Sequence, residues 1–464
     1  MEENKKSEIN FRRLIPILTC CIFFTVTINY SIDYPQAFED ALIRKFDIST
    51  TKIQAMYTIY CYVNTISAPL QALTMNKFSY GMSLMILSAV SFLGSLLIHL
   101  SLFNKSYLLM ALGRVIYSLG GEAFFNITMA VINERFIGSF TTVAMTVTYM
   151  LGKGISAIAN YYQPKMLIDS RTLQLPFFTM VVVGFVQFIF CFWFYSCYNK
   201  MSNQERAAHG TSIVKDNEKL NPEDQDRPKF TRAHLKTLNP LFWCALGCYT
   251  FIPTVMYTFT FAITDFFMFR FGYEYAQAKN FMGILNGLQS FLMPLSGFFM
   301  QIFGYKTVFL LAGSILSVVG VGGMMLQPEE PSIGLWIFFM IFTLYFALYG
   351  SAIYPCMSMS VAKDSVSIGL SIATIIQQFL LGTTPLIIGE LSKDRTPQAY
   401  QNCLYFNFVM ALIGLSFSVL TFILDFKTGK ILFLPENSAK VSEMRKKLNA
   451  EYRKITKEVE RFKM

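Results

Sequence analysis

The sequence predicts an all-α membrane protein, with twelve transmembrane helices in two six-helix halves. Three observations carry that expectation. A mean hydropathy of +0.43, with 46 Phe and 15% charged residues in 464 positions, is more apolar surface than a soluble globule can bury, so lipid must solvate much of the chain. Twelve apolar stretches reach the roughly 20 residues that a bilayer crossing needs. One polar loop, residues 199–239, divides them six and six. The expected organisation is therefore a cytoplasmic N-terminus (1–13), an N-terminal half (14–198), a cytoplasmic central loop (199–239), a C-terminal half (240–424) and a basic cytoplasmic tail (425–464).

Span one, residues 14–34, follows Lys5, Lys6, Arg12 and Arg13 and stays apolar through Tyr30. That run is too long for the core of a signal peptide, so it remains as a helix, ended by Asp33 and Pro35. Span two, 52–74, carries Tyr57, Tyr60, Asn64, Ser67 and Gln71 at three- and four-residue steps, one polar stripe on an apolar helix. Span three, 82–103, carries His99 near its end, most simply at the interface. Span four, 107–132, sets Ser118, Glu122 and Asn126 on one face, with Arg114 nearer the outer end. Span five, 140–162, lines up Thr146, Tyr149, Lys153, Ser156 and Asn160; span six, 176–198, runs apolar into the central loop.

The second half repeats the plan. Span seven, 241–267, carries Tyr249, Pro253, Tyr257, Thr260 and Thr264 on one stripe and Asp265 near its end, as Asp33 ends span one. Span eight, 277–303, holds Asn286 and Gln289; spans nine (307–326) and ten (332–358) are apolar. Span eleven, 366–390, puts Gln377 and Gln378 at mid-membrane and Glu390 at the interface, and span twelve is 403–424.

An ionised side chain at the bilayer centre costs at least about 2.5 to 3.5 kcal/mol on insertion scales, so Glu122 and Lys153 turn inward. Four polar stripes facing one another line a wet cavity. The candidate substrate-binding residues are Glu122, Lys153, Asn126, Tyr149, Tyr57, Tyr60, Asn64, Tyr257, Gln289 and Gln377; Asp33, Arg114, Asp265 and Gln301 are read as gating or structural. The plainer reading of Glu122 and Lys153 is a buried salt bridge tying two helices together. One Gln in each polar pair could equally bond only a neighbouring helix, a contact worth roughly 0.6 kcal/mol on average.

Lys and Arg give the expected orientation. With both termini cytoplasmic, 27 of the 39 fall on the cytoplasmic side, 10 opposite and 2 within spans. The net charge of +10 is then topology rather than nucleic-acid binding. The nine Cys show no CxxC spacing, so neither a disulfide framework, a metal nor any other cofactor is expected. Asn104-Lys105-Ser106 is a sequon in a short outer loop. In the tail, Val441, Met444, Leu448, Tyr452, Ile455, Val459 and Phe462 form an amphipathic helix, suited to an anionic leaflet or to a partner helix.

Two loops carry a repeat. Gly297-Phe298-Phe299-Met300-Gln301-Ile302-Phe303-Gly304-Tyr305-Lys306, between spans eight and nine, resembles the G-x-x-x-D-x-x-G-x-K/R signature of the major facilitator superfamily, with Gln301 where Asp is usual. Asn76-Lys77-Phe78-Ser79-Tyr80-Gly81, between spans two and three, is a looser copy. Such a loop needs Gly for a tight turn, a polar helix cap and a cation for the negative leaflet. The resemblance implies the major facilitator fold, with the substrate site between two repeats near the midplane.

Gly113-Arg114-Val115-Ile116-Tyr117-Ser118-Leu119-Gly120-Gly121-Glu122 also resembles the G-R-x-x-x-G-x-G-G-E of the lysosomal dipeptide-transporter family typified by major facilitator superfamily domain-containing protein 1. Asp33-Tyr34-Pro35, Phe271-Gly272, Tyr354-Pro355-Cys356 and Gln377-Gln378 are shorter matches. What this resemblance implies is uniport of dipeptides across the membrane of an acidic, lysosome-like organelle, with Glu122 at the acidic binding position, Lys153 where the family has Arg, and a glycosylated accessory membrane subunit as partner.

The expected function is thus alternating-access transport of small zwitterionic solutes, dipeptides first. Glu and Lys across a cavity offer complementary ends to an amine and a carboxylate. The alternatives are a proton-coupled transporter of an organic anion or sugar, with Glu122 as proton carrier, and a non-transporting receptor or assembly subunit. No enzyme is expected: the chain has no phosphate loop and no Ser-His-Asp set, and two of its three His lie in the central loop.

Overall fold

The computed structural model of the chain describes residues 11–135, 141–208, 238–278, 280–362, 365–435 and 438–461. Twelve long helices run through the described residues: α1 Phe11–Ile32, α2 Thr50–Lys77, α3 Tyr80–Asn104, α4 Tyr107–Arg135, α5 Thr141–Ser170, α6 Gln174–Ala208, α7 Pro240–Phe261, α8 Asn280–Phe303, α9 Lys306–Met325, α10 Ile333–Met359, α11 Val366–Leu391 and α12 Pro397–Thr428. A further helix, α13 Ala439–Arg461, follows. Eight of the twelve are long and apolar enough to cross a membrane. The other four, α2, α4, α5 and α8, include three of the four helices with polar stripes and the one carrying Asn286 and Gln289, whose polar residues lower the hydropathy.

The helix starts are written locally. Asn239 accepts from the Phe242 amide at 2.8 Å with Pro240 as first helical residue, and Thr396 does the same for Ala399 at 3.2 Å ahead of Pro397. These caps begin α12 six residues earlier than hydropathy alone suggests, because a side-chain oxygen satisfies an orphan N–H and Pro tolerates the first turn. α7 ends at Phe261, before the expected residue 267, and passes through Ile263–Asp265 into a π-turn at Phe266–Arg270. Four phenylalanines of this segment, Phe266, Phe267, Phe269 and Phe271, enter aromatic contacts there.

Within each half the tightest packing uses glycine. A Cβ on Gly94 of α3 would overlap the Tyr117 backbone of α4, and one on Gly320 of α9 would meet the Phe342 Cα of α10 at 2.9 Å. Corresponding helices of the two halves therefore approach by the same device. Across the halves, α2 packs on α11 and α5 on α8. Here Gly382 receives the Tyr62 ring and Gly297 receives Thr146, while the Tyr62 hydroxyl lies 3.2 Å from Thr383 Oγ1.

The tail departs from the sequence reading. Instead of offering its apolar face to lipid, α13 turns it toward its own half. Val441, Ile431 and Leu432 share a buried cluster with Leu241 at the start of α7 and Cys356 and Met359 at the end of α10, with Met444 and Leu448 against it. The linker is held by a carboxylate: Asp425, fully buried at the end of α12, accepts from the amides of Leu432 at 2.9 Å and Phe433 at 3.0 Å. The exposed face is charged, and the Lys447 ammonium, 2.8 Å from Glu443, holds that carboxyl below its ordinary range.

Candidate functional site

The polar stripes converge on a central cavity between the halves, of about 90 Å³. A single water needs about 10 to 15 Å³ measured this way, so a ligand of several heavy atoms can enter. α1 contributes Thr25, Ile28, Asn29, Ile32 and the following Asp33; α2 contributes Tyr57, Tyr60 and Cys61; α4 and α5 contribute Phe125, Tyr149 and Lys153. From the other half come Tyr249, Pro253, Tyr257 and Phe261 of α7, Tyr349, Ile353 and Tyr354 of α10, and Gln377, Gln378 and Leu381 of α11. Seven tyrosines therefore line it. Rings with hydroxyl tips suit an amphipathic solute better than an ion, since each gives an apolar face and a hydrogen-bonding edge.

The cation is held by aromatic faces. Lys153 is nine-tenths buried, and its Nζ lies 4.9 Å from the Tyr257 ring centroid and 5.4 Å from that of Phe346. A desolvated cation–π contact is worth about 2 kcal/mol or more, so Lys153 is oriented by the opposite half of the molecule. Below it the rings of Tyr149 and Phe125 meet Tyr354 at 5.8 and 5.3 Å, and Tyr249 Oη lies 3.4 Å from Tyr354 Oη. This cluster joins the halves toward the end that carries the chain termini.

Asp33 and Asp265, matched in sequence, part company in space. Asp33 lies on the cavity wall, where its Oδ2 accepts from Ser156 at 2.7 Å and from Asn160 at 3.4 Å, both on α5. Asp265 lies in the short Ile263–Asp265 turn beyond α7, bonded by Tyr400 at 3.1 Å, and does not line the cavity. Arg114 neither snorkels nor ion-pairs with a described residue. It is fully buried, donates to the Ile32 carbonyl at 2.9 Å, and has the rings of Tyr60, Tyr34, Tyr57 and Tyr117 at 4.7, 5.1, 5.9 and 5.9 Å. Its Nε and Nη1 have no hydrogen-bond partner among the described residues. Two of those tyrosines, Tyr57 and Tyr60, also line the cavity, so Arg114 packs behind its wall.

A sequence model of the Major Facilitator Superfamily matches residues 17–385. The chain belongs to that superfamily. It is accordingly a multi-pass membrane transporter of small molecules rather than an enzyme. Two solved structures share its fold. The proton:xylose symporter XylE, bound to 6-bromo-6-deoxy-D-glucose, is 11% identical with a TM-score of 0.69 over 89% of this chain and 96% of that one. The human organic anion transporter MFSD10 (TETRAN) is 10% identical with a TM-score of 0.59 over 88% of this chain and 99% of that one. No curated protein sequence matches, so the finer resemblance to the lysosomal dipeptide-transporter family gains no support from these comparisons.

Of the candidate residues for this superfamily transporter, Tyr57, Tyr60, Tyr149, Lys153, Tyr257 and Gln377 line the cavity. Asn64 and Gln289 are buried away from it: neither Asn64 side-chain atom has a hydrogen-bond partner among the described residues, and Gln289 donates to Met256 Sδ at 3.4 Å. The side chains of Glu122, Asn126, Gln71, Asn76 and Lys77 lie outside the described residues. Thr25, Asn29 and Tyr349 line the cavity without having been singled out. A signal was available for the first two: Thr25, Asn29 and Asp33 recur at four-residue steps, a fifth stripe on span one.

The superfamily's loop signature also has a local structure here. Gly304 has φ +80°, and a Cβ on it would lie 2.6 Å from the Phe433 carbonyl oxygen. Tyr305 and Lys306 donate their amides to Phe433 and Leu432 at 2.8 and 3.3 Å. Gln301, neutral where the signature is acidic, leaves Oε1 without a hydrogen-bond partner among the described residues. The carboxylate at this end is Asp425, which Lys306 influences electrostatically.

Proposed function

We propose that the protein moves small zwitterionic solutes, dipeptides first among them, by alternating access, with both termini cytoplasmic and a lysosome-like or other endomembrane as its home. The observation that carries this reading is Lys153 on the wall of a tyrosine-lined cavity between the halves, with Asp33 on the same wall. A ligand carrying one amine and one carboxylate meets a charge complement at each end, and tyrosine faces accept varied side chains between them. The closing cluster around Tyr354 spans both halves, as a gate in an alternating cycle must. Organelle, uniport and an accessory glycosylated subunit rest on the span-four resemblance alone.

The deciding experiment is flux into proteoliposomes of the purified full chain, with dipeptides, amino acids, organic anions and sugars offered at symmetric and asymmetric pH. Dipeptide uptake at symmetric pH supports the reading. Uptake of a sugar or anion that appears only with a pH gradient supports proton coupling instead, which the cavity-facing carboxyl Asp33 also suits. Saturable binding with no flux for any solute favours a receptor.

A further inference from the structure

We infer that the turn linking α12 to the tail, residues 426–433, is a headgroup site for an anionic phospholipid, built on Lys430 and Lys427. It lies on the lipid-facing rim of the C-terminal half, apart from the cavity and from whatever solute the cavity carries.

The turn stands where the apolar surface stops. α9 packs against α12. The exposed apolar side chains of the pair, Val308, Ile315 and Val319 on α9 and Leu420, Ile423 and Phe426 on α12, run out at Val308 on one helix and at Phe426 on the other. Tyr305, also exposed and just ahead of Val308, has its ring 4.7 Å from that of Phe433, and Phe433 lies 5.0 Å from Phe426. Aromatic rings gathered where an apolar surface ends mark headgroup level in a membrane protein.

Two cations are placed at that level. Lys430 Nζ lies 4.5 Å from the Phe426 ring centroid and 5.6 Å from that of Phe433, so the rings aim the ammonium without neutralising it. Lys427 is exposed on the last turn of α12. Neither lysine ion-pairs with a described residue. Residues 426–435 hold these two cations and no acid. The neighbouring Asp425 is buried, with its carboxylate turned to the Leu432 and Phe433 amides. The backbone is fixed as well: Gly429 has φ +111°, the Lys430 amide donates to the Asp425 carbonyl at 2.7 Å, and the Phe433 carbonyl accepts from the Tyr305 amide at 2.8 Å. A preset pair of ammonium groups beside an apolar surface suits a phosphate whose acyl chains lie along α9 and α12. A soluble anion gains only the charged half of that contact. The exposed face of α13 is a poorer site, because it mixes cations with acids and Lys447 is already 2.8 Å from Glu443.

The test is thermal unfolding of the detergent-purified full chain titrated with phosphatidylserine or phosphatidylcholine in mixed micelles, the rise in midpoint giving an apparent affinity. Phosphatidylserine is expected to stabilise the wild type, and phosphatidylcholine at the same mole fraction is not. Lys430→Gln and Lys427→Gln should each weaken phosphatidylserine binding about fivefold, the equivalent of roughly 1 kcal/mol for one cation near an anionic surface, and the double variant about twenty-five-fold. Lys427→Gln, at an exposed helical position, carries the test alone should Lys430→Gln fail to fold. Lys446→Gln/Lys454→Gln, on the exposed face of α13, should keep wild-type affinity. A protein lacking both Lys427 and Lys430 that still binds phosphatidylserine as the wild type does overturns the site, and so does loss of binding in the α13 variant alone. Equal stabilisation by phosphatidylcholine overturns the anionic preference. If inorganic phosphate or glycerophosphoserine stabilises as strongly as the lipid, the turn holds a free anion and the lipid assignment falls.

Discussion

At the scale of single residues, the cavity turns on how a cation is kept at mid-membrane. Lys153 sits against Tyr257 and Phe346 of the opposite half, so its charge is stabilised by ring faces of that half. Lys153→Ala is expected to abolish dipeptide transport while the protein remains monodisperse, since a charged hydrogen bond of about 1.5 to 3 kcal/mol is lost, roughly ten- to a hundredfold in affinity. Lys153→Arg should retain much of the activity, because charge and ring stacking survive. Radiolabelled uptake alongside size-exclusion profiles checks both, and full uptake by the Ala variant removes Lys153 from the site. Much of this was legible in the sequence: a stripe of Tyr149, Lys153, Ser156 and Asn160 on one helix faces inward for the simple reason that lipid penalises it. What periodicity could not separate was a cavity wall from a helix contact. Asn64 and Gln289 obey the same spacing as Tyr60 and Gln377 and yet are buried between helices. Likewise Asp33 and Asp265 sit alike in their halves, and only the partner brought in from a distant helix, Ser156 for one and Tyr400 for the other, tells them apart.

At the scale of elements, the second-half loop and the tail form one assembly. Gly304, at φ +80°, lets the α8–α9 turn lie against the chain that leaves α12, and Asp425 fixes that chain from the other side. Gly304→Ala is expected to lower stability by about 1 to 3 kcal/mol, from positive-φ strain together with the clash at the Phe433 carbonyl. Thermal unfolding of the purified protein measures it; an unchanged midpoint contradicts the role. Truncation after Pro435 removes Val441 from the buried cluster and uncovers Cys356 and Met359. The truncated protein should unfold at a lower temperature, each large apolar side chain lost contributing about 1.5 to 3 kcal/mol, while transport per folded molecule in liposomes stays near normal because the cluster lies wholly within the C-terminal half. Loss of flux at equal folded protein would show that the tail takes part in the cycle. The amphipathic period of α13 was readable from the sequence, but its occupant was not, since an apolar stripe fits a leaflet and a protein surface equally well. Caps such as Asn239-Pro240 and Thr396-Pro397 place helix starts that hydropathy misses, for a window average cannot see a single side-chain oxygen.

At the scale of the whole molecule, two six-helix bodies touch along α2–α11 and α5–α8, and the cavity lies where they meet. Alternating access requires those contacts to break and re-form, and a solute can shift the balance only through affinity that differs between the states. Glu122 lies on α4 two turns beyond Arg114, and its substitution distinguishes two ways of driving the cycle. A carboxyl near the bilayer centre has its charged form disfavoured by desolvation and favoured by a nearby ammonium, whether from Lys153 or from a ligand. If the charged form holds a ligand amine, alone or together with Asp33, Glu122→Gln weakens binding at every pH, and neither gradient-driven uptake nor exchange survives at wild-type levels. Were Glu122 instead a proton carrier, the Gln variant would mimic the protonated state permanently: net uptake driven by a pH gradient would vanish, yet exchange of labelled for unlabelled solute would persist, because only the return of the empty carrier needs the proton to leave. The zwitterion reading predicts the first outcome. Proteoliposomes preloaded with unlabelled dipeptide, assayed with and without a gradient, separate the two, and robust exchange by Glu122→Gln would move the protein to the proton-coupled class.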